Sequence, residues 1–375
     1  LGTVALNRSQ PRRVIKVGTS LLRGQPERST AAVIMDLATS IARAQRAGER
    51  MALVTSGAVG LGCTALGLTS RPHDLASLQA AAAVGQGRLM ALYQEAFAVR
   101  GLTVAQVLLT RADLASRRGY RRACLTLEQL LAWNVVPIIN ENDTVAIEEL
   151  RFGDNDTLSA LLAVAIGAEE LVLLTDVDRL YSADPRTDAE AVPITEVRDP
   201  SDLARLQEVA GGGGQWGTGG MTTKLRAARI ATTSGIRVRL ADGRDPAVLE
   251  ALLAGASVGT VFQPSTTPLP DRKGWLAHAL VPGGTLVVDA GAEQALRHQG
   301  ASLLAVGITA VEGDFDRLAP VRLTGRDGRE IGRGLCRLSS QEVRAILGLG
   351  REEIRQRLGE DGGAVVHRDH LVLVA

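Results

Sequence analysis

Residues 13–20 read Arg-Val-Ile-Lys-Val-Gly-Thr-Ser. A short apolar run without polar alternation, closed by glycine and small hydroxyl residues, reads as a buried strand entering a turn. The pattern recurs along the chain. Arg13–Val17, Met51–Thr55, Thr103–Leu109, Val135–Ile139, Leu171–Thr175 and Arg237–Leu240 are strand candidates, and helical periodicity marks Ser29–Gln45, Leu75–Val99, Ser116–Ala132, Asp156–Ile166 and Met221–Ser234. Alternation of buried strands with helices predicts an α/β fold, a mostly parallel sheet sandwiched by helices.

Periodicity breaks at Gln263–Gly284, where Pro264, Pro268, Pro270 and Pro282 cluster. The reading divides the chain into a catalytic α/β domain at 8–262, a linker at 263–283 and a small β-rich domain at 284–375. In the last, Thr285–Asp289, Val321–Leu323 and Gly334–Leu338 are predicted strands, Ala292–Gln299 a short helix and Thr324–Gly328 a turn.

The 375 residues carry 42 Lys plus Arg against 41 Asp plus Glu, a net charge of +1, so bulk charge does not recruit nucleic acid or anionic membrane. No apolar run approaches the ~18–20 residues of a membrane helix, and Leu1–Val14 is not read as a signal peptide. Cys63, Cys124 and Cys336 are odd in number and widely spaced, which argues against a disulfide framework or zinc site and predicts a reducing, cytoplasmic setting. Of the 42 basic residues only Lys16, Lys224 and Lys273 are lysines.

Polar or glycine residues stand where predicted strands end, the side on which open α/β sheets bind ligands. These segments are Lys16-Val-Gly-Thr-Ser20, Val54-Thr-Ser-Gly-Ala58, Asn140-Glu-Asn-Asp143, Gly153-Asp-Asn-Asp156 and Thr175-Asp176. A sixth, Gly211–Gly220, has seven glycines in ten positions and runs through Met221-Thr-Thr-Lys224 into a helix. Glycine loops before helices present N–H groups to phosphate. Each segment has a plainer reading: turn and N-cap for Gly18-Thr-Ser20, helix capping for Asp154–Asp156, a flexible connector for the glycine run. The glycine run matches neither GxxxxGK[ST] nor GxGxxG. His367 and His370 lack a carboxylate partner in the HExxH manner and are not read as metal ligands.

In order and spacing these segments, with Leu109-Thr-Arg-Ala-Asp113, resemble the amino acid kinase family, and within it the glutamate 5-kinases that carry a C-terminal PUA domain. The resemblance spans Val14 to His370. It implies ATP-dependent phosphorylation of the side-chain carboxylate of L-glutamate to L-glutamyl 5-phosphate, the first step of proline biosynthesis. Carried over residue by residue, Lys16 and Lys224 would stabilise the transferring phosphoryl group and Asp156 would organise the two lysines. Ser56, Gly57, Asp143 and Asn155 would bind glutamate, Asp143 through its α-ammonium and Asn155 through a carboxylate. Lys16, Gly18, Thr175, Asp176, Thr218, Gly219, Gly220, Met221, Thr222, Thr223 and Lys224 would contact ATP, with Mg²⁺ held mainly by the ATP phosphates rather than by a protein metal site. The family also implies feedback inhibition by proline, and a homo-oligomer is expected.

Other readings stay open. Another carboxylate or phosphate kinase of the same fold is one, and RNA binding by the C-terminal domain is another, since PUA domains occur in RNA-modifying proteins. Residues 284–375 hold 12 Arg against 13 Asp plus Glu, and Phe315 as the sole Phe, Tyr or Trp, which is neither the basic groove nor the stacking platform of RNA sites. A structural or regulatory module is the third reading.

Overall fold

The computed structural model describes residues 10–23, 28–146, 155–185, 188–199, 202–203, 206, 220–269, 282–349, 351–358 and 363–373. The chain divides into two compact units, Leu1–Leu269 and Pro270–Ala375. Most of the predicted linker, with Lys273, lies outside the described residues.

In the first unit the strands are β1 (Arg12–Val17), β2 (Arg50–Val54), β3 (Val104–Leu109), β4 (Val136–Glu141), β5 (Glu170–Thr175), β6 (Leu180–Tyr181), β7 (Pro193–Ile194), β8 (Glu196–Val197), β9 (Arg237–Asp242) and β10 (Thr260–Phe262). Eight of them form one sheet in the order β3-β4-β2-β1-β5-β9-β10-β8. Every neighbouring pair from β3 to β9 is parallel; β10 runs antiparallel to β9 and parallel to β8. From β1 the chain crosses to β2 on one side and later returns from β4 to β5 on the other. The carboxyl ends of β1, β2, β4 and β5 therefore converge around a topological switch.

Alternation along the strands divides the two faces. Ile15, Val17, Leu53, Ile138, Val172 and Leu174 share a core with helices Thr30–Arg46, Leu75–Ala98 and Pro246–Leu253. Lys16 points to the opposite face, where helix Asn155–Ala165 packs with helix Gly220–Thr233. All residues from Asp156 to Ala165 of the former helix are buried, as its apolar sequence requires. At the amino ends of the strands, away from the switch, the buried Glu170 meets Arg239 at 2.7 Å and Arg13 at 3.5 Å, and Arg13 also reaches Glu49 at 3.3 Å.

Some elements escape the sequence reading. No helix is predicted between Met51–Thr55 and Leu75–Val99, yet Ala58–Ala65 is a helix entered through Gly57, whose φ of 93° suits glycine. Its glycine-rich sequence hides it because glycine disfavours helix. The reason is packing. A Cβ on Gly62 would collide with the Ala81 carbonyl, and one on Gly85 with the Ala58 carbonyl, so this helix lies backbone to backbone on Leu75–Ala98. The helices Thr19–Leu22, Arg111–Ala115 and Pro246–Leu253, and the short strands β6, β7, β8 and β10, are likewise additions to the reading.

The second unit holds β11 (Gly284–Val288), β12 (Ile308–Glu312), β13 (Pro320–Thr324), β14 (Glu330–Cys336) and β15 (Val366–Leu373) in the order β12-β11-β13-β14-β15. Only the β11–β13 pair is parallel. The predicted strands and helix fall on β11, β13, β14 and Ala290–Gln299, whereas β12 and β15 are additions. Phe315 is buried in this unit's core with Leu286, Val321 and Ile331, so its ring offers no stacking surface.

The glycine seam carries a direct test. Gly85→Ala should destabilise the first unit by about 1–3 kcal/mol, because the added methyl must displace backbone. Gly87→Ala, one position beyond the adjacent residue and facing open space, should be neutral or stabilising by up to about 1 kcal/mol. Thermal or urea unfolding of both variants checks the pair; equal effects would mean that the helices do not pack through Gly85.

Candidate active site

Helix Asn155–Ala165 starts where the strands end, and this places its first two residues at the switch. Asp156 is 2% exposed, and its carboxylate lies between two lysines. Lys16, at the end of β1, approaches Oδ1 at 2.5 Å; Lys224, in the first turn of helix Gly220–Thr233, approaches Oδ2 at 3.3 Å. Thr223 donates its hydroxyl to Oδ2 at 2.8 Å, and Lys224 Nζ also donates to the Gly220 carbonyl at 3.0 Å. Asp156 is therefore more than a helix cap, the plainer reading of its position.

Burial pushes the Asp156 carboxyl up, but the ammonium groups of Lys16 and Lys224 and the Thr223 hydroxyl outweigh it and hold the group below the usual carboxylate range. A depressed acid contributes stability that is complete above its unfolded value and is lost as pH falls through the folded one. Asp156 thus stays ionised at neutral pH, and its contribution fades only below pH about 4. Two ammonium groups against one carboxylate leave one net positive charge at this point.

Beside the triad opens a cleft of about 650 Å³ lined by Ser56, Gly57, Asn140, Glu141, Asp143 and Asn155, with Arg23 and Arg71 also on its wall. Asn155 Nδ2 donates to the Thr55 carbonyl at 2.7 Å, to Asn140 Oδ1 at 2.9 Å and to Ser56 Oγ at 3.0 Å. Two hydrogens serve three acceptors within the protein. The amide atom without a partner among the described residues is the buried acceptor, Asn155 Oδ1. Underneath, Thr55 Oγ1 shares a 2.8 Å hydrogen bond with the buried Tyr93 hydroxyl, whose pKa burial raises.

The structure thus brings Lys16, Lys224, Asp156 and Thr223 into one cluster and lines the adjoining cleft with Ser56, Gly57, Asp143 and Asn155. Gly18 lies beside the cluster, and its N–H donates to the Leu174 carbonyl at 3.1 Å. A Cβ there would lie 3.3 Å from the Leu174 oxygen and 3.9 Å from Lys16 Nζ, so its lack of a side chain allows close approach. Thr175 closes β5 and donates to Asp176 at 3.1 Å, at the sheet's carboxyl edge. Gly220, Met221 and Thr222 open the helix that carries Lys224. Thr218, Gly219, the rest of the run from Gly211, and Phe152–Asp154 lie outside the described residues. Arg23, Arg71 and Gln86 were not singled out from sequence, and Asn140 stands in a quoted motif without a role of its own. Arg23 and Arg71 stand outside any helical period, among 39 arginines, without a distinguishing signal.

Residues 11–242 match the amino acid kinase family and residues 284–358 the PUA domain. A glutamate 5-kinase of Synechococcus sp. (strain CC9902) is 61% identical over 360 residues, covering 96% of this chain and 98% of that protein. One from Prochlorococcus marinus (strain MIT 9313) is 58% identical over 361 residues, with the same coverage. Among solved structures, a carbamate kinase from Giardia lamblia bound to AMP-PNP superposes with a TM-score of 0.50 at 17% identity, covering 68% of this chain and 99% of that one, a likeness of fold. With a family match across most of the first unit and full-length relatives near 60% identity, the chain belongs to the amino acid kinase family, in its glutamate 5-kinase branch, and carries a PUA domain.

Proposed function

We infer that this chain transfers the γ-phosphoryl group of ATP to the side-chain carboxylate of L-glutamate, giving L-glutamyl 5-phosphate for proline biosynthesis. The observation that carries the reading is the Lys16–Asp156–Lys224 cluster opening onto a cleft with carboxylates and a buried free acceptor, in a chain 61% identical to a glutamate 5-kinase. The chemistry asks for little more. A glutamate side chain with a reference pKa near 4.3 is already ionised at neutral pH, so the nucleophile needs no general base. The obstacle is bringing one anion against another, and two preorganised ammonium groups offset it. Asp156 holds them apart and aimed.

Glu141, Asp143 and the Asn155 acceptor favour the α-ammonium end of the substrate, and Ser56 and Gly57 line the path between cleft and cluster. Thr175, Asp176 and the segment 218–224 would contact ATP. Mg²⁺ would enter on the ATP phosphates, where it supplies further charge neutralisation. The donor set suits that arrangement, because the Asp156 carboxylate is already engaged by two lysines and Thr223. Proline, with an α-carboxylate and a protonated nitrogen, would compete in the same cleft. The PUA domain would serve assembly or regulation rather than the transfer step.

Three measurements test this. With hydroxylamine trapping the acyl phosphate, glutamate should be turned over in preference to N-acetylglutamate, aspartate and UMP; ATP turnover confined to another acceptor would remove the assignment. A soluble chain ending near residue 280 should retain glutamate-dependent turnover, since all proposed site residues precede that point; a folded but inactive truncation would place part of the site in the second unit. Lys16→Arg and Lys224→Arg should each lower kcat by roughly 10²–10³, about 2.7–4 kcal/mol, with little change in melting temperature. A wide planar fork cannot replace a compact ammonium wedged against Asp156. Near-normal kcat in both variants would show that neither ammonium acts on the phosphoryl group.

A further inference from the structure

Gln86 lies outside the cleft, on helix Leu75–Ala98, and is 8% exposed. Its Oε1 accepts from Asn140 Nδ2 at 2.9 Å, while its own Nε2 is buried and has no partner among the described residues. A buried primary amide with an unused donor is costly, and an apolar residue would fill the space at lower cost. The one bond it makes must account for its presence. Asn140 in turn accepts at Oδ1 from the Glu141 backbone N–H at 2.9 Å and from Asn155 Nδ2 at 2.9 Å.

The direction of each amide in this chain follows jointly from its neighbours. The Glu141 backbone N–H can only donate, so Asn140 must present Oδ1 to it and Nδ2 to Gln86. The Thr55 carbonyl can only accept, so Asn155 must present Nδ2 to it at 2.7 Å, which leaves Oδ1 as the acceptor without a partner. An isolated amide can reverse its two ends at little cost, whereas this one is held by three neighbours, and Gln86 secures the middle link. The adjacent Gly85, lacking a Cβ, seats the same helix tightly on the backbone of Ala58 and Gly62.

We propose that Gln86 is a positioning residue that, through Asn140, holds the Asn155 side chain with its oxygen available to a substrate ammonium and so sets selection for an amino-acid acceptor over an unaminated dicarboxylate. The inference rests on the glutamate reading above. Its consequence is a loss in ground-state recognition of the acceptor, separate from the phosphoryl step at Lys16 and Lys224.

The test compares wild type with Gln86→Leu, which removes the acceptor at similar volume, and Gln86→Glu, which keeps an oxygen for Asn140. Steady-state kinetics would be run with glutamate and with glutarate, which lacks the amine. Gln86→Leu should raise the glutamate KM about tenfold, equivalent to about 1.4 kcal/mol, and narrow the preference for glutamate over glutarate. Its kcat and its KM for ATP should stay within about twofold of wild type, and Gln86→Glu should restore the glutamate KM. An unchanged glutamate KM in folded Gln86→Leu overturns the proposal. So does a joint fall in kcat, ATP affinity and melting temperature, which marks a merely structural role. If Gln86→Leu does not fold, Gln86→Met takes its place under the same criteria. Wild type without glutamate turnover would instead refute the substrate reading.

Discussion

The candidate site depends on one buried carboxylate placed between the ammonium groups of the buried Lys16 and the half-buried Lys224. Removing Asp156 would leave two ammonium groups side by side without their counter-charge, a penalty larger than that of most packing defects. The surrounding fold serves that placement. β1 supplies Lys16 from a strand buried on both sides, the all-buried helix supplies Asp156, and helix Gly220–Thr233 brings Lys224 across to it. The opposite ends of the strands carry their own ionic links around Glu170, so charge is distributed between a structural edge and a chemical one.

Much of this arrangement is legible in the amino-acid sequence. Strand runs such as Val14–Val17 and Leu171–Leu174 are apolar on both faces, and that alone fixes a covered parallel sheet and puts Lys16 and Thr175 at its carboxyl edge. Lysine is scarce in an arginine-rich chain, and Lys16 and Lys224 converge on one carboxylate although 208 positions separate them. Local pattern could not supply that convergence, since it depends on strand order, but the resemblance of the motifs did.

What stayed hidden had physical causes. Helix Ala58–Ala65 carries glycines that propensity penalises and packing demands, so the tertiary contact overrides the local preference. The direction of the Asn155 amide could not be inferred from the motif, because it is decided by the Thr55 carbonyl and by Asn140. Gln86 did leave a trace. It stands with Ala82, Leu89 and Tyr93 on a buried helical stripe, and a polar side chain in such a stripe signals a specific partner.

Asn155 and Asp156 are neighbours in the chain, the one lining the cleft and the other gripping both lysines. Their Cα atoms are separated by the fixed span of about 3.8 Å across a single peptide unit. On the reading proposed above, the spacing between acceptor recognition and phosphoryl transfer would be written into covalent geometry on a helix buried from Asp156 to Ala165. A longer or shorter acceptor would then not be accommodated by sliding one half of the site against the other. Adaptation to a different chain length would have to come from the wall formed by residues such as Arg23 and Arg71, leaving this two-residue ruler unchanged.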